Sequence, residues 1–221
     1  MARTLFTGCA GGLSVGAFDS FNLGTHVSDD IDTVMKNRET LRSLFSLDHL
    51  IFMNQSHGTN VVEVMSGDWP TADADAIFTR SKGIGLAVLT ADCIPLLLSS
   101  PSMVAAVHVG RRGLLSGIIQ KVLTKFPETE LDQILAEMGP SICTNCYEVD
   151  LATYRDAISL IPELASSVQV HQLDLVAGAR AILSSHNVSI LEHHICTREN
   201  ANYFSFRRNK VTGRQVGVIA L

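Results

Sequence analysis

The stretch from Gly83 to Val109 constrains the fold more than any other part of this 221-residue chain. It is the most apolar stretch, yet Asp92, Pro95 and Pro101 interrupt it, so it cannot supply the roughly 20 unbroken apolar residues of a membrane span. It divides into short runs, Ile84–Thr90, Ile94–Leu98 and Met103–Val109, whose length and β-branched content read as strands. Leu50–Met53, Asn60–Met65, Ile134–Met138, Val168–Val170, Val188–Leu191 and Val216–Ile219 read the same way. Helical spacing places Ile31, Val34, Met35, Leu41, Leu44 and Phe45 on one face, after the acidic start Asp29-Asp30. It returns over Leu114–Phe126, Ala152–Leu160 and Leu173–Ser185. Strands outnumber helices and arrive in clusters, without strict βαβ alternation. This predicts an α+β fold with mixed, sandwich-like β-sheets and helices packed outside. No repeat or linker divides the chain, so a single domain over residues 1–221 is expected.

Hydrophobic residues at 46% against 18% charged allow a sizeable core and exclude general disorder. A net charge of −5 argues against a nucleic-acid partner, which calls for a basic face. Five cysteines form an odd set with no export signal, so reduced thiols and a cytoplasmic location are expected. Leu5–Cys9 resembles a lipoprotein cleavage site but lacks an apolar segment before it. The Gly8, Gly11, Gly12 and Gly16 spacing fits neither a dinucleotide fingerprint nor a P-loop.

Three segments place a metal ligand or nucleophile where a strand meets a loop: Gln55–Gly58, Ala91–Pro95 and Val107–Gly113. Such positions line clefts with rigidly held side chains. One thiolate and two imidazoles, Cys93 with His57 and His108, suit Zn²⁺ and leave a fourth tetrahedral position for water or substrate. Zinc in such a site lowers the pKa of its water to about 7. Copper(II) also accepts these ligands. The 36-residue and 15-residue separations match no short zinc signature. The same residues allow a metal-free reading in which Cys93 is a nucleophile and His57 or His108 its base. Sequence leaves these alternatives open, beside a bland one of a buried thiol and two hydrogen-bonded histidines.

Nearly the whole chain resembles the laccase-domain, YfiH-type family of bacterial proteins. The early matching segments are Gly11–Ser14, Asn22–Gly24, Asn37-Arg38, Gln55–Gly58, Asp75-Ala76 and Ala91–Pro95. The later ones are His108–Gly113, Gly139–Ile142, Cys146–Val149, Cys196-Thr197, Phe204–Arg208 and Gly213-Arg214. Members carry the label polyphenol oxidase and are described as purine nucleoside phosphorylases with adenosine deaminase activity. The resemblance places the family's zinc ligands on His57, Cys93 and His108. The chain departs from the family pattern in three places: Arg111 where Trp is usual, Cys9 near a usual Arg, and Phe206 where Tyr is common.

The resemblance implies phosphorolysis of adenosine, inosine or methylthioadenosine, with nucleoside and phosphate as small-molecule partners and no membrane or nucleic acid. It leaves monomer or homodimer open. Arg112, in the His108 motif, is a candidate phosphate contact because a guanidinium fork suits phosphate oxygens; the following helix N-terminus offers N–H groups to the same anion. Asn22 is a candidate substrate contact. For deamination, Asp92 is a candidate proton shuttle, with a structural capping role as its alternative. Arg207 and Arg208 either reach the site or pair at the surface. The competing functions are a copper-dependent polyphenol oxidase, a cysteine hydrolase using Cys93, and a zinc-stabilised module without activity. Cys143-x-x-Cys146 has no second Cys-x-x-Cys and reads as incidental thiols. His193 and His194 point to opposite faces of a strand. His26, His49, His171 and His186 read as structural or solvated.

Overall fold

The computed structural model describes residues 2–65, 73–167 and 169–221. Its first half runs β1 (Arg3–Phe6), α1 (Ile31–Leu44), β2 (His49–Phe52), β3 (Val61–Glu63), β4 (Ala76–Thr79), β5 (Ile84–Thr90), β6 (Ile94–Ser99) and β7 (Val104–Val109). The second half runs α2 (Arg111–Leu115), α3 (Ile118–Leu123), β8 (Leu135–Met138), α4 (Leu151–Leu160), β9 (Ala165–Ser167), β10 (Gln172–Leu173), α5 (Leu175–Ser185), β11 (Ser189–Glu192), α6 (Phe206–Asn209) and β12 (Gln215–Ala220).

Two mixed sheets form the centre, one in the order β1-β12-β5-β2 and one in the order β11-β8-β6-β7-β4-β3. The two-residue side-chain period assigns their faces. Leu86 and Val88 of β5, Ile219 of β12, Leu97 of β6, Val104 and Ala106 of β7 and Ile77 of β4 share one buried cluster, which lies between the sheets. The alternate residues of the six-stranded sheet, among them Leu96, Leu98, Ala105 and Val107, pack instead with Leu114, Ile118, Val122, Ala157, Ala179 and Leu183 of α2–α5. Ala87, Leu89, Val216 and Val218 of the four-stranded sheet pack with Leu41 and Phe45 at the end of α1. The layers are therefore helix, sheet, sheet, helix, as the α+β reading expects. Strands buried on both faces need apolar residues at every position, which is why Ile84–Val109 reads as continuous runs.

The helices differ from the sequence reading in three main places, one of them the short, unpredicted α6. The Leu114–Phe126 periodicity becomes two helices beginning three residues earlier, because Gly117 adopts φ +85° and breaks the helix between α2 and α3. Helix α1 buries Val34, Asn37 and Leu41, whereas Ile31, Met35 and Leu44 face solvent. Its N-terminus is capped as the acidic start predicts, Thr33 N–H donating to Asp30 at 2.8 Å. Strands β1 and β4 and the hairpin of β9 and β10 are short pieces beyond those predicted; the expected strand over Val168–Val170 falls between β9 and β10, with Val168 outside the described residues. No helix among the described residues is long and apolar enough to cross a membrane.

Candidate active site

Register in the six-stranded sheet assembles the site. Cys93 immediately precedes β6, and His108 near the end of β7 pairs with Pro95 of β6, so the thiol and one imidazole meet at neighbouring strand ends. On the other side of β7, Ala76 of β4 pairs with Val107, which sets Asp75 beside His108; His108 N–H donates to the Asp75 carbonyl at 2.8 Å. The Asp75 carboxylate then accepts from His108 Nδ1 at 2.8 Å, leaving Nε2 as the free nitrogen of that ring. The same carboxylate accepts from His57 N at 2.9 Å, Gly58 N at 2.7 Å, and the backbone N–H and hydroxyl of Ser56 at 3.2 and 3.1 Å. One fully buried side chain thus orients one histidine ring and pins the loop that presents the other.

The three predicted ligands come together. His57 Nε2 lies 4.0 Å from Cys93 Sγ, the two imidazoles meet edge to face at 4.6 Å, and a donor atom from each of the three lies within 4.8 Å of the others. His57 and Asp92 adopt positive φ, +61° and +102°, a strained conformation for non-glycine residues that is held here by their hydrogen bonds. Gly110 closes the floor: a Cβ there would stand 3.0 Å from His57 Cδ2 and 3.2 Å from Cys93 Sγ.

The electrostatics follow from this packing. Burial by itself would raise Cys93, but the charge of His108 and hydrogen bonds from His108 and His57 outweigh it and bring the thiol down to about 6. Burial opposes protonation of His108, yet Cys93 and Asp75 together lift it to about 9. Asp75 falls to about 2 because His108, Gly58 and Ser56 overcome the cost of its burial. The donor set is that of a thiolate with two imidazoles, one exposed and one buried, and its chemistry fits a zinc ion.

The cluster opens into a cleft of about 500 Å³ lined further by His26, Gln55, Tyr147, Phe206, Arg207 and Arg214. Burial holds the Arg214 pKa below its ordinary value. A more open recess of about 600 Å³ shares Tyr147 and Arg207 and adds Arg111 and Arg198. Arg207 lies 5.1 Å above the Tyr147 ring. Burial raises Tyr147, against the nearby charge of Arg111.

Several expected contacts fall elsewhere. Arg112 is exposed and lines neither cavity; its neighbour Arg111, the residue standing at the family's Trp position, faces the recess. Helix α2 spans only five residues and presents little dipole to an anion. Asn22 is fully buried away from the cleft, with Nδ2 donating to Asp29 and the Gly24 carbonyl and Oδ1 accepting from the Gly24 and Arg214 N–H groups. It positions Arg214 and does not line the cleft. Asp92 lines the cleft, but its Oδ1 accepts from the Thr197 hydroxyl at 2.8 Å and its Oδ2 from Arg207 N–H at 2.6 Å. That is the capping role. Arg208 is consumed by the carbonyls of Thr197, Arg198, Asn200 and Tyr203. Among residues read as structural or solvated, His26 belongs to the cleft wall. The role of Asp75 was missed; its signal was a carboxylate directly ahead of the apolar run Ala76–Phe78.

Comparison with known proteins agrees with this architecture. A purine nucleoside phosphorylase of Streptomyces coelicolor is 37% identical over 98% of this chain and 94% of its own length. Another of that name, from Corynebacterium glutamicum, is 38% identical over 99% and 94%. The purine nucleoside phosphorylase YfiH of Escherichia coli is 34% identical over 96% and 90%. Among solved structures, a Neisseria meningitidis protein of the DUF152 family superposes with a TM-score of 0.91 at 34% identity, covering 100% of this chain and 94% of that one. YlmD of Geobacillus stearothermophilus gives 0.90 at 29% identity, covering 99% and 91%. The profile of one family matches residues 3–221, and the chain belongs to that family, the multi-copper polyphenol oxidoreductase laccases.

Proposed function

We propose that the chain is a cytoplasmic, zinc-dependent purine nucleoside phosphorylase acting on adenosine, inosine or methylthioadenosine, with adenosine deamination in the same cleft. The observation that carries this reading is one cleft uniting the His57, Cys93 and His108 donors with a wall bearing Arg207 and Arg214, in a chain whose relatives bear that name. In phosphorolysis a phosphate oxygen bonds to C1′ of the ribose as the C1′–N9 bond breaks. The electron pair leaves with the purine, and the proton of hydrogen phosphate ends on the base. Ribose 1-phosphate and free base result.

The chain's residues supply what this exchange needs. Arg207 and Arg214 offset the phosphate charge, with Arg111 in the adjoining recess, since a guanidinium suits planar bidentate contact with phosphate oxygens. Phe206 and Tyr147 offer aromatic faces to a base. Asp75 keeps His108 and the His57 loop in place, and Asp92 fixes the backbone that carries Arg207. His57, Cys93 and His108 would hold zinc, which supplies a Lewis acid in the cleft. In deamination, water replaces the 6-amino group of adenosine, giving inosine and ammonia.

A second reading rests on the Cys93–His108–Asp75 sequence of contacts, which has the order of a thiol nucleophile, its base and an orienting carboxylate. One experiment separates the two: chromatographic product analysis from adenosine, with and without phosphate, using protein of known zinc content beside Cys93→Ala. Phosphate-dependent adenine is expected, and inosine without phosphate would establish the deaminase. Neither product above the Cys93→Ala control would overturn the proposal. Metal-free activity that survives a chelator and is lost on alkylation of Cys93 would transfer it to a cysteine hydrolase.

A further inference from the structure

Outside the cleft, Cys143, Cys146, Cys196 and Glu199 bring four potential ligand atoms within 4.8 Å of one another. They come from two turns about fifty residues apart, each presenting ligands three positions apart: Cys143-x-x-Cys146 and Cys196-x-x-Glu199. The turns are fastened to each other just before the ligands. Ser141 N–H donates to the Ile195 carbonyl at 3.1 Å and Thr197 N–H to the Ser141 carbonyl at 3.0 Å. Backbone N–H groups face the sulfur atoms, Cys143 N lying 3.3 Å from Cys196 Sγ. Cys146 Sγ stands 3.4 Å from Glu199 Oε1. None of the five cysteines forms a disulfide.

We infer that Cys143, Cys146, Cys196 and Glu199 form a second metal site, a closed structural zinc site of three thiolates and one carboxylate. Thiolates select zinc among the common divalent ions, and four protein ligands leave no position for substrate. Tetrahedral zinc–sulfur bonds of about 2.3 Å require only a small inward movement from the distances seen. N–H groups directed at a sulfur are the outer contacts that steady a ligating thiolate. Cys143, Cys196 and Glu199 line a groove that shares only Ile142 with the cleft, whereas Cys146 borders the recess that also holds Tyr147 and Arg207. The site's effect would nonetheless reach the cleft wall. The first turn leads directly into Tyr147, and the second contains Thr197, whose hydroxyl holds Asp92. Zinc here would clamp the two segments that support Asp92 and Tyr147.

The test measures metal content with the cleft ligands removed. Whole protein is prepared under reducing conditions with zinc and desalted, and its zinc is measured by mass spectrometry beside His57→Ala/Cys93→Ala. The double variant should keep about one zinc per chain, because its four-ligand site is intact. Adding Cys143→Ser and Cys196→Ser should abolish that remaining zinc. Should those serine variants fail to fold, cobalt loading of His57→Ala/Cys93→Ala decides the matter, since that protein should show intense sulfur-to-cobalt charge-transfer absorption. A folded His57→Ala/Cys93→Ala protein with no bound zinc and no such absorption would overturn the inference. So would a disulfide among Cys143, Cys146 and Cys196 in freshly isolated, metal-free protein. Loss of phosphorolysis alone bears on the cleft and leaves this count unchanged.

Discussion

At the cleft, one buried carboxylate holds two ligand-bearing segments at once, whereas at the cysteine cluster two turns carry the ligands and hold each other. Asp75 binds the His108 ring and the His57 loop. The cysteine turns are joined by backbone bonds between Ser141, Ile195 and Thr197. The cleft offers three donors with His57 exposed, so a coordination position can stay open to a reactant; the other offers four, the number that closes a zinc site. Rigid orientation from outside suits chemistry, because the ligands stay put when one position is vacated. Mutual fastening suits a clamp, because its ligands and the bonds that join them lie on the same two turns.

The largest effect that could break this contrast is loss of Asp75. Asp75→Ala strands a buried His108 and frees the 56–58 loop, and removing one partner of such a buried pair costs about 3–5 kcal/mol. Asp75→Asn preserves shape but presents a donor amide where acceptors are needed, so zinc affinity at the cleft should fall by about 10- to 100-fold. Thermal unfolding checks the first and chelator competition the second. Equal loss of zinc from both clusters in Asp75→Asn would show that they are not independent.

Graded chelation comes next. The three-donor cleft should yield its metal first, and phosphorolysis should disappear while the circular dichroism of the fold is retained; release of the four-donor ion should then lower the melting temperature. Simultaneous release would remove the distinction between an open and a closed site. Gly110→Ala sharpens it from the cleft side. The Gly110 backbone has φ −87°, so alanine meets no conformational strain, only the His57 ring and Cys93 sulfur at 3.0 and 3.2 Å. Overpacking of this kind costs about 1–3 kcal/mol. The expected result is weakened zinc binding at the cleft with the cysteine site unchanged, read by metal content in each variant.

These contrasts also mark what sequence could reveal. Doubly buried strands announce themselves as unbroken apolar runs, so β5, β6 and β7 were legible, and β5 matches its predicted bounds of Ile84–Thr90. Cys93 and His108 were legible because they sit at the ends of those runs. Asp75 was not, because its meaning arises only when β4 pairs with β7 and brings it to His108, 33 positions away. The nearness of Cys143 and Cys146 to Cys196 and Glu199 was hidden for the same reason, since the parallel bridge of Ser141 with Cys196 brings the two turns together across about fifty positions. Asn22 shows the opposite case. Its place in a matching segment suggested substrate contact, whereas its buried side chain donates to Asp29 and the Gly24 carbonyl and accepts from the Gly24 and Arg214 N–H groups.

The smallest expected effect separates two adjacent arginines and bears on what makes the cleft, and not the clamp, a reaction site. Arg111 and Arg112 differ by one position at the start of α2, which turns their side chains about a hundred degrees apart. Arg111 faces the recess shared with Tyr147 and Arg207; Arg112 faces solvent. If an anion docks beside His57, Cys93 and His108, Arg111→Ala should raise the KM for phosphate by about tenfold, equivalent to about 1.4 kcal/mol. Arg112→Ala should leave it within about twofold, as exposed charges contribute little. Arg111→Lys should recover only part of the loss, because an ammonium keeps the charge without the planar fork. Initial-rate kinetics at varied phosphate for the three variants decide this. A larger effect from Arg112 than from Arg111 would move the anion out of the recess and onto the outer face of α2.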